Sequence, residues 1–554
     1  MGIQNAQKRK TILSFFNAYL YLIYILKNIE RFFLTFFHNI LGVDTMNNNF
    51  LWGASEAGFQ FEMESKNDPN NDTNTDWYLW VRDPINIKNR MVSGDFPEDG
   101  IGYWNRFRND HDLAKSIGMN AYRIGIEWSR IFPESTRKIH VDYETNDMDF
   151  ITEIEITDYT IEQLRELVNH KALSHYRDII MDLRSKGLKV IVNLNHFTLP
   201  LWIHNPITAR SSNLEEGPLG WIDRMNVIEF TKYAAFMASE LGDIVDMWST
   251  FNEPYIVIES GYLMPEVGFP PGVNRPDAYM SGAMNLIMAH VHGYNAIKQW
   301  DTVKADDDSE NSAFIGIIHN ISPAYPLDPS NELDVQAAEH FNEIRNYLLL
   351  TAITKGEIDI DVNLEITDEE RIPEYKNKLD WIGINYYTRI VVSHSEEPMI
   401  PFSEVTDFKI EPGFGVSCVP NSKSRGNRTT TDFGWEIYPE GMRDVINQVS
   451  RYGLPMYITE NGIADAFDIL RPYYIITHID SMLKAINEDK KDVRGYFHWA
   501  LTDNYEWSEG FSKKFGLIEV DLQTKERRLR DSAYIFKEIV TNGLSDKLKE
   551  KYNI

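Results

Sequence analysis

Along the chain, short unbroken apolar runs of strand length alternate with longer stretches whose apolar residues fall at helical spacing. Strand-sized runs occupy 50–60, 121–128, 189–197, 245–253, 314–321, 380–387, 456–461 and 494–501. Helical patterns cover Tyr103–Ile117, Ser174–Lys186, Asn226–Leu241, Asp277–Trp300, Val335–Thr354, Glu440–Arg451, Tyr474–Asn487 and a last stretch at 531–541. Continuous rather than alternating apolar runs suit strands buried on both faces of a parallel sheet. Eight such strand–helix units predict a single (β/α)8 barrel. An open doubly wound sheet is the other arrangement the alternation allows, but no Gly-rich phosphate fingerprint follows the first strand. Long connections at 62–100, 133–171, 204–224 and 388–436 are rich in Asp, Asn, Pro and Ser. They belong at the barrel mouth, where loops shape a pocket.

Residues 1–45 do not follow this pattern. Gln7-Lys-Arg-Lys10 precedes an apolar run from Thr11 to Leu26, and a second run extends from Phe32 to Val43. A basic start before an apolar centre reads as a signal or membrane anchor. The first run has 16 residues, fewer than the roughly 20 that span a bilayer, and no small-residue cleavage site follows it. Met46-Asn-Asn-Asn-Phe-Leu-Trp-Gly53 leads directly into the first predicted strand. The favoured reading therefore takes 46–554 as the barrel domain and 1–45 as an extension arising from a misplaced start.

Composition narrows the partners. A net charge of −28 excludes a nucleic-acid partner and adsorption to anionic lipid, both of which need a basic surface. The single cysteine, Cys418, cannot form an intramolecular disulfide, so nothing points to an oxidising compartment and a cytoplasmic enzyme is expected. No Cys/His set has zinc spacing, and neither a metal nor a cofactor is expected. Thirteen Trp and 28 Tyr suit either an aromatic-rich core or rings that stack on the C–H faces of sugars.

Candidate chemistry sits at the predicted strand ends. Met247-Trp-Ser-Thr-Phe-Asn-Glu-Pro254 and Met456-Tyr-Ile-Thr-Glu-Asn-Gly462 each finish a strand with a glutamate beside an asparagine. In parallel α/β folds that end of a strand carries the active site. Glu253 and Glu460 are 460 − 253 = 207 residues apart and face each other only if the strands curve around a common axis. They read as an acid/base and a nucleophile. The first strand leads to Gln60, the second carries Arg123, the third ends at His196, the sixth at Asn385-Tyr-Tyr387, and the eighth leads through Trp499 to Glu506-Trp507.

This set resembles glycoside hydrolase family 1, the retaining β-glycosidases. TFNEP (250–254) and ITENG (458–462) carry the resemblance, with NLNHFTLPLW (193–202), WIGINYYT (381–388) and HWALTDNYEW (498–507) beside them. GASEAGFQFEM (53–63), DPNNDTNTDWYLWVRDP (68–84) and YRIGIEWSRIFP (122–133) are similar to the archaeal branch in particular. Retention requires two carboxyls about 5–5.5 Å apart. The resemblance implies Glu460 as the ionised nucleophile, held by Arg123 and Tyr387, and Glu253 as the protonated acid that turns base once Glu460 is esterified.

It further implies that Asn252 bonds the sugar 2-hydroxyl and Asn385 orients its neighbours. Gln60, His196 and Glu506 would grip the glycone, with Trp499 as a stacking floor and Trp507 as an indole donor. A satisfied core histidine at His196 and plain packing at Trp499 stay open, as does either role for Tyr386. His111, Trp128 and His498 read as structural. A carboxylate at Glu506 argues against 6-phosphorylated sugars, and Glu253, which is not Gln, argues against thioglucosides. The expected substrates are terminal β-glucosides and β-galactosides, and the expected assembly is a homotetramer. A non-catalytic sugar-binding barrel is the alternative.

Overall fold

The computed structural model describes residues 49–306 and 311–554. The predicted extension at 1–45 lies outside the described residues. Eight parallel strands close on themselves: β1 (Leu51–Ser55), β2 (Ala121–Gly125), β3 (Lys189–Asn195), β4 (Met247–Asn252), β5 (Ile315–Asn320), β6 (Trp381–Asn385), β7 (Met456–Asn461) and β8 (Val493–His498). Their order around the barrel follows the chain, with β1 pairing both β2 and β8. Closure rules out the doubly wound sheet.

Helices follow the strands: α1 (Tyr103–Ser116), α2 (His170–Ser185), α3 (Met225–Leu241), α4 (Pro276–Trp300), α5 (Glu332–Phe341), α6 (Leu348–Lys355), α7 (Glu440–Val449), α8 (Arg471–Asn487) and α9 (Asp531–Asn542). Their starts carry the expected chemistry. Asn169 accepts from the Lys171 and Ala172 amides ahead of α2, and Pro276 and Pro472 occupy first-turn positions where an N–H is dispensable. The barrel lies in one compact unit, Leu51–Lys537. Among the described residues the other unit comprises 49–50 and Glu538–Ile554, including a short helix Asp546–Lys551.

A buried layer of Ala121, Ile191, Met247, Ile318, Trp381, Tyr457 and Phe497 fills one level of the barrel. Glycine makes room for it: a Cβ on Gly316 would lie 2.3 Å from the Trp381 indole, and one on Gly53 would lie 2.6 Å from the Phe497 ring.

Several local expectations need correction. The second strand ends at Gly125 instead of 128, where the helical turn Trp128–Ile131 begins, and the eighth ends at His498 instead of 501. The first strand stops at Ser55 instead of 60, and Gly58–Phe61 forms a helical turn. The cause is Glu127, whose carboxylate takes the Phe59 N–H at 2.8 Å and leaves no room for a Cβ at Gly58. The helix predicted over Val335–Thr354 is interrupted by a π-helical stretch, Asn342–Tyr347. The mouth connections also hold structure of their own. Tyr143–Thr145 pairs with Ile151–Ile154, and Ile390–His394 pairs with both Ala324–Pro326 and Phe408–Ile410.

Candidate active site

Glu460 is held at both carboxylate oxygens. Arg123 Nη1, from inside β2, donates to Oε1 at 2.7 Å, and the Tyr387 hydroxyl donates to Oε2 at 2.5 Å. The Arg123 side chain is fully buried. Its other nitrogen, Nη2, donates to Asn252 Oδ1 at 2.9 Å, so one guanidinium organises two strand ends. Burial pushes the Glu460 carboxyl up, while Arg123 and the Tyr387 hydroxyl pull it down by favouring the charged form.

Glu253 follows β4 in the left-handed region, at φ 47° and ψ 54°, and precedes Pro254 at the first turn of the helix Pro254–Tyr262. A non-glycine residue there is strained, as residues at working sites often are. Its carboxylate accepts from Asn385 Nδ2 at 2.8 Å and Asn320 Nδ2 at 3.1 Å, both neutral donors. No cation lies within ion-pair distance of it among the described residues. Burial first, then the charge of Glu460, push its carboxyl up to about 7.

Asn385 ties the two acids together. Its amide donates to Asn252 Oδ1 at 2.9 Å as well as to Glu253, and its oxygen accepts from the Thr459 hydroxyl at 2.8 Å. Asn385 also acts on the Glu460 carboxylate. One amide therefore acts on both glutamates.

The remaining predicted residues line the same end of the barrel. Gln60 Nε2 donates to Glu506 Oε2 at 3.3 Å and to Asn504 Oδ1 at 3.2 Å. Gln60 Oε1 is buried with no partner, an acceptor suited to a ligand hydroxyl. Glu506 is pushed up to about 8 by burial and then by Glu460 and Glu253. The expected repulsion of phosphate by an ionised Glu506 is therefore weak in this three-carboxylate cluster, where much of the group holds its proton at neutral pH.

His196 lies between Trp499 and Trp507, 5.8 Å from each at 27° and 25°. Its nitrogens sit 3.2 Å from Arg123 Nη2 and 3.1 Å from Asn252 Nδ2, and burial with the adjacent Arg123 keeps the ring neutral. Trp499 takes the edge of Phe61 at 5.7 Å. Trp507 is wedged among Phe59, Trp77, Phe197 and Phe269. Three further residues, read as structural from the sequence, are buried. His111 bridges Tyr103 and Asp182, Trp128 stacks on Tyr233 at 5.1 Å, and His498 is fully buried. The Tyr386 hydroxyl donates to the Tyr438 carbonyl.

Four residues of this network were not anticipated. Asn320 ends β5 as the others end theirs, so the strand-end rule points to it equally. Thr459 and Asn504 sit one and two positions from anticipated acids. Trp435, from the connection after β6, meets Tyr387 edge-on at 5.2 Å and stacks on Phe433 at 4.5 Å, forming an aromatic wall beside the nucleophile. Outside this network, one carboxylate oxygen each from Asp359, Asp361 and Glu370 lie within 4.8 Å of one another. Backbone amides already occupy Asp359 and Glu370.

The sequence model of glycosyl hydrolase family 1 matches residues 43–159 and 164–544. A β-galactosidase of Pyrococcus woesei is 52% identical over 506 residues, 91% of this chain and 98% of that protein. The crystal structure of the β-glycosidase from the hyperthermophile Thermosphaera aggregans superposes with a TM-score of 0.83 at 39% identity, covering 91% of this chain and 98% of that one. A β-glucosidase mutant derived from a hyperthermophilic tetrameric structure gives 0.80 at 39% identity, covering 91% and 97%.

Proposed function

The chain belongs to glycosyl hydrolase family 1 and is a β-glycosidase, and from that premise we propose the roles of its residues and the sugars it takes. Glu460 is the nucleophile and Glu253 the acid/base of a double displacement with retention. Glu460 attacks the anomeric carbon while Glu253 protonates the leaving oxygen, giving a glycosyl ester. Esterification removes the Glu460 charge that helps hold the proton on Glu253, so Glu253 becomes a base toward water. The observation that carries this reading is the asymmetry of the pair. Arg123 and Tyr387 grip Glu460, whereas Glu253 has only amide donors and keeps its proton to about 7.

Asn252, fixed by Arg123, bonds the 2-hydroxyl. Gln60, His196 and Glu506 grip the remaining glycone hydroxyls, Trp499 forms the floor, and Trp507 donates from its indole. An acid at Glu506 that reaches two hydroxyls tolerates either 4-epimer, which supports β-glucosides and β-galactosides together. The relative from Pyrococcus woesei, a β-galactosidase, supports the second of these. A non-catalytic sugar-binding barrel would need neither carboxylate. A 2-fluoro glycoside should trap an ester on Glu460, read by mass spectrometry of the labelled peptide; label on any other residue overturns the assignment.

Three further elements belong to this reading. The catalytic domain spans 46–554 with 1–45 outside it, supported by the family match from 43 onward; mass spectrometry of the native N-terminus tests it. Residence is cytoplasmic, supported by the single cysteine. Among the described residues no helix is long and apolar enough to cross a membrane. Assembly is a homotetramer, supported by the tetrameric parent of one structural neighbour; light scattering decides it.

A further inference from the structure

We propose that Arg345, on the π-helical turn after α5, is a positioning residue that locks the Asn320 amide so that its N–H must point at Glu253. The proposal rests on the reading of Glu253 as the acid/base. π turns weaken a helix and recur at working sites. This one, Asn342–Tyr347, carries Arg345 into a buried position against the end of β5.

One guanidinium captures both oxygens of Asn320. Arg345 Nη1 donates to its main-chain carbonyl, and Nη2 donates to its side-chain Oδ1 at 3.2 Å. The third nitrogen, Nε, donates to Glu259 Oε2 at 3.2 Å. Arginine has only donors, in a rigid planar fork, so the side-chain atom it faces must be the oxygen of the amide. The amide nitrogen is thereby turned the other way, where it donates to Glu253 Oε1 at 3.1 Å. The row runs in one direction only, from guanidinium to amide to carboxyl.

That polarity has a consequence for the proton on Glu253. A donor aimed at the oxygen favours the carboxylate, and Arg345 adds a more distant positive charge. Glu460 opposes both across the site. Glu506 and the Tyr387 hydroxyl also face Glu253, and Asn385 supplies the second donor. Around Arg345 lie Glu259, Tyr255, Tyr279 and His319. The adjacent Glu259 offsets much of the arginine field, so the amide carries most of the effect. Asn385 is shared with Asn252, whereas among the described residues the Asn320 nitrogen serves Glu253 alone.

The test compares wild type, Asn320→Ala and the double variant Glu259→Gln/Arg345→Gln, which removes the buried pair together. The readout is the pH profile of kcat/KM on an aryl β-glucoside with a poor leaving group. Without the donor, Glu253 holds its proton longer, and the alkaline limb should move up by roughly half a pH unit to one unit in both variants. A merely structural role would lower the melting temperature and leave the limb in place. An unmoved limb in either folded variant overturns the proposal. Glu253→Ala, run beside them, separates the two readings. If it loses no more rate on poor than on activated leaving groups, the acid/base assignment fails. If it does lose more while the limb of the other variants stays put, only the role of Arg345 fails.

Discussion

Glu253 and Glu460 are both buried, yet only Glu460 touches a cation, and that difference decides their order of ionisation. Glycosylation needs Glu253 protonated in the free enzyme, so kcat/KM should fall as pH rises through about 7. Its acid limb belongs to the coupled pair rather than to either residue alone. A flat profile between pH 5 and pH 9, on the order of two units either side of 7, would contradict a carboxyl acid there. Tyr387→Phe should keep the fold and lower kcat/KM by roughly 10–100-fold, the loss of one charge-directed hydrogen bond; steady-state kinetics with a circular-dichroism control reads it. At this scale much is legible in the sequence. Glu253, Glu460, Asn252 and Asn385 all follow from acids and amides at strand ends. Asn320 obeys the same rule, but none of the motifs that carry the family resemblance covers its strand. Arg345 has no local signal: its partner is 25 residues away in sequence and the π turn that delivers it has no pattern. The raised carboxyl of Glu506 was equally hidden, since it depends on three carboxyls converging in space.

At the scale of elements, the barrel was legible because each strand is a compact apolar run between helical patterns, and the eight runs all became strands. Their ends were harder. A carboxylate 68 residues away ends β1 five residues early by taking an amide of the next turn, and no local pattern records that. Three-residue strands in the mouth connections, such as Phe408–Ile410, are below what periodicity resolves. Glycines inside the strands carry a constraint that periodicity also misses. Gly316 lies directly opposite Trp381 in the β5–β6 register, and a Cβ there would sit 2.3 Å from the indole. Trp381 is fully buried and has nowhere to retreat. Gly316→Ala should therefore cost about 1–3 kcal/mol, the usual range for overpacking. Gly316→Ala/Trp381→Phe should recover part of that loss, and denaturant unfolding of both variants measures it. Equal stability of Gly316→Ala and wild type would show that the barrel wall yields.

For the molecule as a whole, stability against pH follows from two opposed sets of buried groups. His111, His290 and His292 are pushed down to about 4, and His319, His478 and His498 to about 3, each by burial. The unfolded chain protonates them near 6.5, so their contribution is complete above that value and lost as pH falls toward 4 and then 3. Glu253 and Asp301 are pushed up to about 7, and Glu127 and Glu506 to about 8, again chiefly by burial. Their unfolded forms ionise near 4, so their contribution is complete at low pH and lost as pH rises toward 8. Between about 4.5 and 6.5 the two sets oppose each other. Above that window only the carboxyls change, and a net charge of −28 adds self-repulsion of the same sign. Below it the carboxyls are protonated in both states. The histidines continue to lose stability there, joined by ion-paired acids held low, such as Asp306 at about 2. The melting temperature should therefore peak between about pH 5 and 6.5 and fall on both sides. Glu127→Gln identifies the alkaline contribution, because an amide can still accept from the Phe59 N–H while meeting the Thr198 hydroxyl. Its melting curve should flatten between pH 6.5 and about 8 relative to wild type. A wild-type melting temperature that climbs through that interval would mean Glu127 and its neighbours ionise freely in the fold, and with them would go the low-dielectric interior that keeps a proton on Glu253.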